Sequence, residues 1–116
     1  MTPHVLSAST ITGDGVVNRA EEDLGKIEDL VVDIESGRIA YAVLSFGGFL
    51  GMGDKLFALP WGSLQLDSAK HRFILDVSKE TLESAPGFDK DDWPNMGDRT
   101  WGKSIYSHYN QKPYWN

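Results

Sequence analysis

The sequence predicts a mainly β fold, a small domain of six strands followed by a short helix and a partly helical C-terminal extension. Turn residues interrupt residues 13–77 at short intervals, and the segments between them are rich in β-branched and aromatic residues. The pair Pro60-Trp61 separates two apolar segments, and Pro60 should end a strand because proline cannot donate to a β-ladder. A length of 116 residues with 41% hydrophobic content suits one globular domain with an ordinary core.

Turn signals divide this region into six strands. The first follows Gly13-Asp14-Gly15, and an acidic loop around Glu21-Glu22-Asp23 separates it from the second. The turn Glu35-Ser36-Gly37 joins the second strand to the third, because glycine can take the positive φ that a tight hairpin requires. The predicted strands are residues 16–18, 25–34, 38–46, 55–60, 63–66 and 72–77.

The third predicted strand is apolar on both faces. Side chains alternate across a strand. One face therefore carries Ile39, Tyr41, Val43 and Ser45, and the other carries Ala40, Ala42, Leu44 and Phe46. A strand with one side in water would have polar residues at every second position, so something must cover both sides. The segment 56–59 has the same character, and the cover is either the C-terminal extension or a second subunit.

Beyond Val77 the pattern changes from strands to helices. Ser78 is a suitable N-cap for a helix over 79–84, which Pro86-Gly87 ends. Asp98 can cap a second helix running to about His108. Seven of the thirteen aromatic residues follow Gly87, although disordered tails are poor in aromatics. We therefore divide the chain into a barrel, residues 1–85, and an aromatic-rich extension, residues 86–116, that packs on the barrel or on a second subunit, and we predict a homodimer.

Composition excludes several classes of protein. The net charge is −6, and nucleic-acid binding usually requires a basic face. The chain has no cysteine, which excludes disulfides, thiol catalysis and cysteine metal sites and is typical of a reducing compartment. The N-terminus lacks the features of a signal peptide, and no apolar stretch approaches 18 residues. We expect a cytoplasmic protein that binds neither nucleic acid nor membrane.

Motifs for catalysis, cofactors and metals are incomplete. The glycine-rich loop at 47–53 lacks the Gly-Lys-Ser/Thr ending of a phosphate-binding loop and precedes a strand instead of a helix. The acidic segment 89–92 has Pro94 and Thr100 where a calcium loop needs glycine and glutamate. The three histidines, at 4, 71 and 108, show no metal-ligand spacing. We expect no catalytic residue, no cofactor and no bound metal.

Large exposed apolar side chains are the best candidates for contact with a partner. Apolar residues in a glycine-rich loop are unfavourable in water unless a partner covers them. Tryptophans near the barrel–extension boundary offer an alternative, a small ligand held between barrel and tail. The candidate contact residues are Phe49, Leu50, Met52, Trp61, Trp93 and Trp101.

Five segments together resemble the PRC-barrel family over about residues 7–80. They are Gly25-Lys26-Ile27-x-Asp29-Leu30-Val31, Ser36-Gly37-Arg38-Ile39-x-Tyr41-Ala42-Val43, Phe46-Gly47-Gly48-Phe49, Lys55-x-Phe57-x-Leu59-Pro60-Trp61 and Phe73-Ile74-Leu75-Asp76-Val77. Asp33, before the second segment, and Leu64, before the last, add to the match. The tail is similar to the extension of some bacterial stand-alone members. The resemblance implies a six-stranded barrel that serves as an assembly module and not as an enzyme.

The functional expectation from this resemblance is a protein-interaction or assembly module with an unknown protein partner. Similar barrels form the cytoplasmic part of the photosynthetic reaction-centre H subunit and the C-terminal domain of a ribosome maturation factor. Neither role is expected here, since the sequence shows neither the membrane helix of the first nor the N-terminal domain of the second. A small-ligand-binding protein is the alternative, and an accessory factor in ribosome or RNA processing is a weaker one.

Overall fold

The computed structural model describes residues 5–47 and 54–115. The predicted contact residues Phe49, Leu50 and Met52 lie outside the described residues. The elements are α1 (Ala8–Ile11), β1 (Gly15–Val17), β2 (Asp23–Asp33), β3 (Arg38–Gly47), β4 (Asp54–Pro60), a 3₁₀ turn (Trp61–Ser63), β5 (Leu64–Asp67), β6 (Arg72–Leu75), α2 (Lys79–Glu83) and α3 (Arg99–His108).

The six strands form one curled sheet in the order β4-β3-β2-β1-β6-β5. Neighbouring strands are antiparallel except β1 and β6, which run parallel. The sheet bends into a half-barrel whose inner face holds the core, which confirms the predicted mainly β class.

Strand β2 is much longer than the strand beside it. β1 pairs only with Asp23–Lys26, whereas β3 pairs with Lys26–Asp33. Irregularities in the β2–β3 register lie between Ile27 and Asp29 and between Val31 and Val32. Bulges of this kind bend a strand and increase its twist, so β2 can follow the curvature of the sheet.

The outer face of β3 is covered by the C-terminal extension of the same chain. Tyr41 is 1% exposed, and its ring lies edge-on to Trp101 and Tyr106 of α3, with centroids at 5.4 and 5.6 Å. The Tyr106 hydroxyl donates to the Ala40 carbonyl oxygen at 2.7 Å. The two-sided apolar character of β3 is therefore satisfied within one protomer.

The extension also protects the outer edge of the sheet at β4. Leu56 and Phe88 exchange two backbone hydrogen bonds, with N···O distances of 2.9 and 2.8 Å. An unpaired edge strand is a site for unwanted pairing between molecules. Part of the β4 edge is therefore closed by the chain itself.

Pro60 and Trp61 have the structural role that the sequence predicts. Pro60 is the last residue of β4 and is buried, and the 3₁₀ turn begins at Trp61. The Trp61 ring packs on Phe73 of β6 with centroids 5.9 Å apart. The pair thus ends one strand and joins two parts of the core.

Both predicted helices are present with their predicted caps. The Ser78 side chain accepts from the Thr81 N–H, and the Asp98 side chain accepts from the Thr100 N–H. Strand β6 ends at Leu75, two residues earlier than predicted, because the Val77 N–H turns back to the Leu75 carbonyl. Helix α1 was not predicted, although its N-cap Ser7 is a usual capping residue.

Gly25 should be the least replaceable glycine of the sheet. Its φ is +116°, and a Cβ there would collide with the Ser45 carbonyl oxygen of β3. Gly37 also has a positive φ, +76°, but no atom lies within 4 Å of its ideal Cβ position. We expect Gly25→Ala to lower the free energy of unfolding by about 3 kcal/mol or more, and Gly37→Ala by about 1 kcal/mol. Urea unfolding measures both, and equal losses would contradict the role of the collision.

Gly102→Ala tests the packing of α3 on β3. Replacing glycine by alanine inside a helix normally stabilises it by about 0.5–1 kcal/mol. Here the added Cβ would lie 2.6 Å from the Tyr41 hydroxyl and 2.8 Å from the Trp115 ring. We expect a net loss of about 1 kcal/mol in the free energy of unfolding, because overpacking outweighs helix propensity. Ser104→Ala, exposed on the same helix, is the control and should change stability by less than about 0.5 kcal/mol. If Gly102→Ala instead stabilises the protein, the Tyr41 and Trp115 side chains can move aside at little cost in free energy, which would contradict this prediction.

Candidate functional site

The end of the β2–β3 hairpin holds the last residues of the chain through the C-terminal clasp, which consists of Asp33, Arg38 and Tyr114. Asp33 and Arg38 are the last paired residues of the β2–β3 ladder. The Tyr114 hydroxyl donates to Asp33 Oδ2 at 2.6 Å, and Arg38 Nη1 donates to the Tyr114 carbonyl oxygen at 2.7 Å. Both the side chain and the backbone of Tyr114 are therefore fixed by one hairpin.

The clasp shifts the pKa values of both its acidic groups. The Tyr114 hydroxyl, together with the Ser36 N–H, lowers the pKa of Asp33 below its ordinary value of 3.8. Burial, followed by the hydrogen bond to Asp33, raises the pKa of Tyr114 to about 12. The shared proton thus remains on the tyrosine at neutral pH, and the hydrogen bond is charge-assisted.

One groove, the hairpin groove, lies between the end of β2 and the start of α3. Its volume is about 340 Å³, and it is lined mainly by residues 31–35 and 96–99 with Tyr41 and Tyr114. Two of its apolar side chains are displayed to water, Val32 at 50% and Ile34 at 92% exposure. Its carboxylates belong to Asp33, Glu35 and Asp98.

A second groove, the tail groove, also includes Tyr114 in its wall and has a different chemistry. Its volume is about 500 Å³, and it lies between the beginning of β3, the 3₁₀ turn and the chain that follows α3. It is lined by three aromatic rings, two cationic side chains and one amide. These are Trp61, Tyr106, Tyr114, Arg38, Lys112 and Gln111.

The hairpin groove borders a stretch of β2 that has a partner strand on one side only. On the β1 side, the described backbone bonds reach Ile27, which pairs with Asp14 and Gly13. From Glu28 to Asp33, the described strand pairing is with β3 alone. Exposed strand edges present N–H and C=O groups that can bind another strand. This stretch is called the β2 edge below.

The three candidate tryptophans that the structure describes pack on three different partners. Trp61 lies against Phe73 in the core and lines the tail groove. Trp93 is 41% exposed and packs edge-on to Phe88 at 5.2 Å. Trp101, a residue of α3, packs edge-on against Tyr41 of β3. The ring contacts described here do not gather them into one site.

Sequence reasoning missed the residues that build the clasp and the hairpin groove. The sequence pattern places Asp33 and Ile34 in the second predicted strand and Tyr114 in the aromatic-rich extension, and it assigns no contact between them. The available signal was the alternating order of exposed apolar and acidic residues after Val31, which is unusual at the end of a core strand.

The described residues offer little support for two other kinds of site. Within residues 5–47 and 54–115, no group of three or more histidine, aspartate or glutamate side chains could hold a metal ion. Among the helices described, none has the length and apolar character needed to cross a bilayer.

The Tyr114→Phe substitution should raise the pKa of Asp33 towards 3.8, since the tyrosine hydroxyl is the main cause of its lowering. The N–H groups of Glu35 and Ser36 keep it partly lowered. A carboxyl whose pKa is lowered by folding stabilises the fold above its ordinary pKa, and this contribution is lost as the pH falls through the folded value. The stability difference between the wild-type protein and Tyr114→Phe should therefore be largest near neutral pH and shrink below pH 3.8.

An acid titration of the Asp33 carboxyl carbon by NMR measures this shift directly. Tyr109→Phe is the matched control, because the buried Tyr109 hydroxyl has no hydrogen-bond partner among the described residues and its loss should not affect Asp33. An unchanged Asp33 pKa in Tyr114→Phe would show that the clasp does not persist in solution.

Comparison with known proteins identifies a family and a number of similar solved structures. No curated protein matches the chain in sequence. Among solved structures, a 16S ribosomal RNA processing protein of Pseudomonas aeruginosa, RimM, is similar with a TM-score of 0.47 and 19% identity, over 65% of this chain and 45% of that chain. This chain thus matches less than half the length of that protein. The family model of the PRC-barrel domain matches residues 3–82. Because that match covers well over half of the sequence, the chain belongs to the PRC-barrel family.

Proposed function

We propose that this PRC-barrel protein is a non-enzymatic interaction module that binds an extended segment of another protein along the β2 edge. One observation carries the proposal. The strand pairing described for Glu28–Asp33 is with β3 alone, and two exposed β-branched side chains, Val32 and Ile34, stand at the end of this stretch.

The backbone of the β2 edge supplies affinity that does not depend on the partner's sequence. An extended peptide that adds to a sheet edge gains main-chain hydrogen bonds, while pockets for alternate side chains give specificity. The Leu30 N–H is already bonded to the Asp29 carboxylate at 2.8 Å. Binding therefore centres on the part of the edge beyond Leu30.

The hairpin groove provides the place for the partner's side chains. It runs beside residues 31–35 and has a volume of about 340 Å³, which accommodates one or two apolar side chains. Val32 and Ile34 line it, and covering them removes apolar surface from water. The segment that fits here carries apolar anchors at alternate positions.

The carboxylates near the β2 edge further limit the kind of partner segment that fits there. Four carboxylates lie along or next to the β2 edge, and the whole chain has a net charge of −6. They belong to Glu28, Asp29, Asp33 and Glu35. Complementary charge favours encounter and excludes wrong partners, so the segment should be basic as well as apolar.

A second copy of the chain is less suitable for this edge than a different protein. Two β2 edges brought together would oppose identical carboxylates, which is unfavourable. The prediction of a homodimer used the apolar outer face of β3 as one argument, and α3 of the same chain already covers that face. Light scattering separates the two states, and we expect the free protein to have the 12.9 kDa mass of a single chain. We keep the cytoplasm as the proposed location, on the absence of cysteine.

We do not extend a role in ribosomal RNA processing to this chain. The structural likeness to RimM concerns the fold, and the net charge of −6 opposes binding to a phosphate backbone. Salt-sensitive co-sedimentation of this protein with ribosomes would overturn that choice.

Affinity purification from the native cell, with the full chain as bait, tests the interaction surface. The double substitution Val32→Thr and Ile34→Thr keeps β-propensity and removes exposed apolar surface. We expect it to weaken binding of the specific partner by about tenfold, with little effect on folding.

Val5→Thr is the matched control, because Val5 is also a β-branched residue at high exposure, 86%. A partner that is retained by the control and depleted with the double variant supports the proposal. A partner that binds all three proteins equally would place the interaction surface elsewhere on the molecule.

A further inference from the structure

We infer that the tail groove is a binding site for a small aromatic anion, a flat ring that carries a carboxylate or phosphate group. The groove has a volume of about 500 Å³, within the usual range of about 300–1,000 Å³ for small-molecule sites. It lies on the other side of Tyr114 from the hairpin groove, and the inference does not depend on the proposed protein partner.

The charge of the groove is opposite to that of the protein. The described residues that line it include two cations, Arg38 and Lys112, and no carboxylate. The chain as a whole has 17 acidic residues against 11 basic ones. A local positive site in an acidic protein concentrates small anions and repels cations.

Both cations have donors that form no ion pair with the carboxylates of the described residues. Lys112 has no ion pair or side-chain hydrogen bond among the described residues. Arg38 donates through Nη1 to the Tyr114 carbonyl, and a guanidinium has five N–H groups in all. Arg38 is thus fixed by the clasp and still able to bind an anion.

The aromatic walls favour a flat ligand. Trp61 is half-buried, with its ring held against Phe73, so it is a firm surface for stacking. Tyr106 is buried, with its hydroxyl fixed on the Ala40 carbonyl. Trp61 therefore provides the stacking surface and loses little freedom when a ligand binds, while the buried Tyr106 supports the wall from behind.

One polar side chain, Gln111, lies at the rim of the groove and can orient a ligand. The Gln111 N–H donates to the Tyr106 carbonyl at 2.8 Å, which fixes the backbone beside the groove. Its Oε1 lies 3.3 Å from the position that a Cβ on Gly62 would take. The side-chain amide therefore lies across the 3₁₀ turn, where it can bond a ring substituent.

NMR titration of the full chain tests the site with three probes. Indole-3-acetate carries a ring and a carboxylate, adenosine monophosphate carries a ring and a phosphate, and tryptamine is a cation of nearly the same shape as the first. We expect at least one of the two anions to give saturable shifts of the Gly37, Gly62 and Lys112 amides, and tryptamine to give none. Saturation by only one of them identifies the anionic group.

Lys112→Gln should weaken the binding of that anion about fivefold, because Lys112 is exposed and its charge is partly screened. Lys90→Gln, a change at an exposed lysine that does not line the groove, should leave binding unchanged. The Val32→Thr and Ile34→Thr protein should bind the anion normally, which separates this site from the proposed protein interface. The absence of saturable shifts with both anions at millimolar concentration, equal binding of tryptamine, or no effect of Lys112→Gln would each overturn the inference.

Discussion

The fold depends on covering both faces of β3, and Tyr41 is the centre of the contact that does so. This side chain is 1% exposed, and it belongs to the core on the strand face opposite to Ala40 and Leu44. Trp101 and Tyr106 lie edge-on to it, and burial raises the pKa of Tyr41 to about 12. Edge-on pairs add about 0.5–1.5 kcal/mol each to the burial of their apolar surface. The extension is thus part of the core.

This packing positions the candidate sites. Once α3 lies on β3, the chain after His108 must return across the start of β3, where Asp33 and Arg38 hold Tyr114. Trp115 then lies against Tyr106 at 5.5 Å and beneath Arg99. The two grooves are the spaces left on either side of Tyr114. The aromatic contacts that stabilise the fold therefore also set the positions of the two grooves.

Local sequence signals account for the strands and helices, while the sites depend on contacts that no local signal contains. Alternation in residues 38–46 and the caps Ser78 and Asp98 were sufficient to place β3, α2 and α3. The clasp joins residues that are 81 and 76 positions apart in sequence. The β2 edge arises because β1 is only three residues long, and the parallel pairing of β1 with β6 could not be read from alternation. Trp61 lies beside the tail because of the path that the chain takes after α3, and no local sequence pattern predicts that path.

The two grooves have opposite charge and share one wall, which is formed by Tyr114. Its hydroxyl binds Asp33 next to the acidic β2 edge, and its carbonyl binds Arg38 in the cationic tail groove. Among the described contacts, Arg38 reaches this carbonyl through Nη1, so its other N–H groups can bind an anion without opening the clasp. A small barrel with a docked tail thus carries two surfaces of opposite charge, and one residue, Tyr114, forms part of the wall of both.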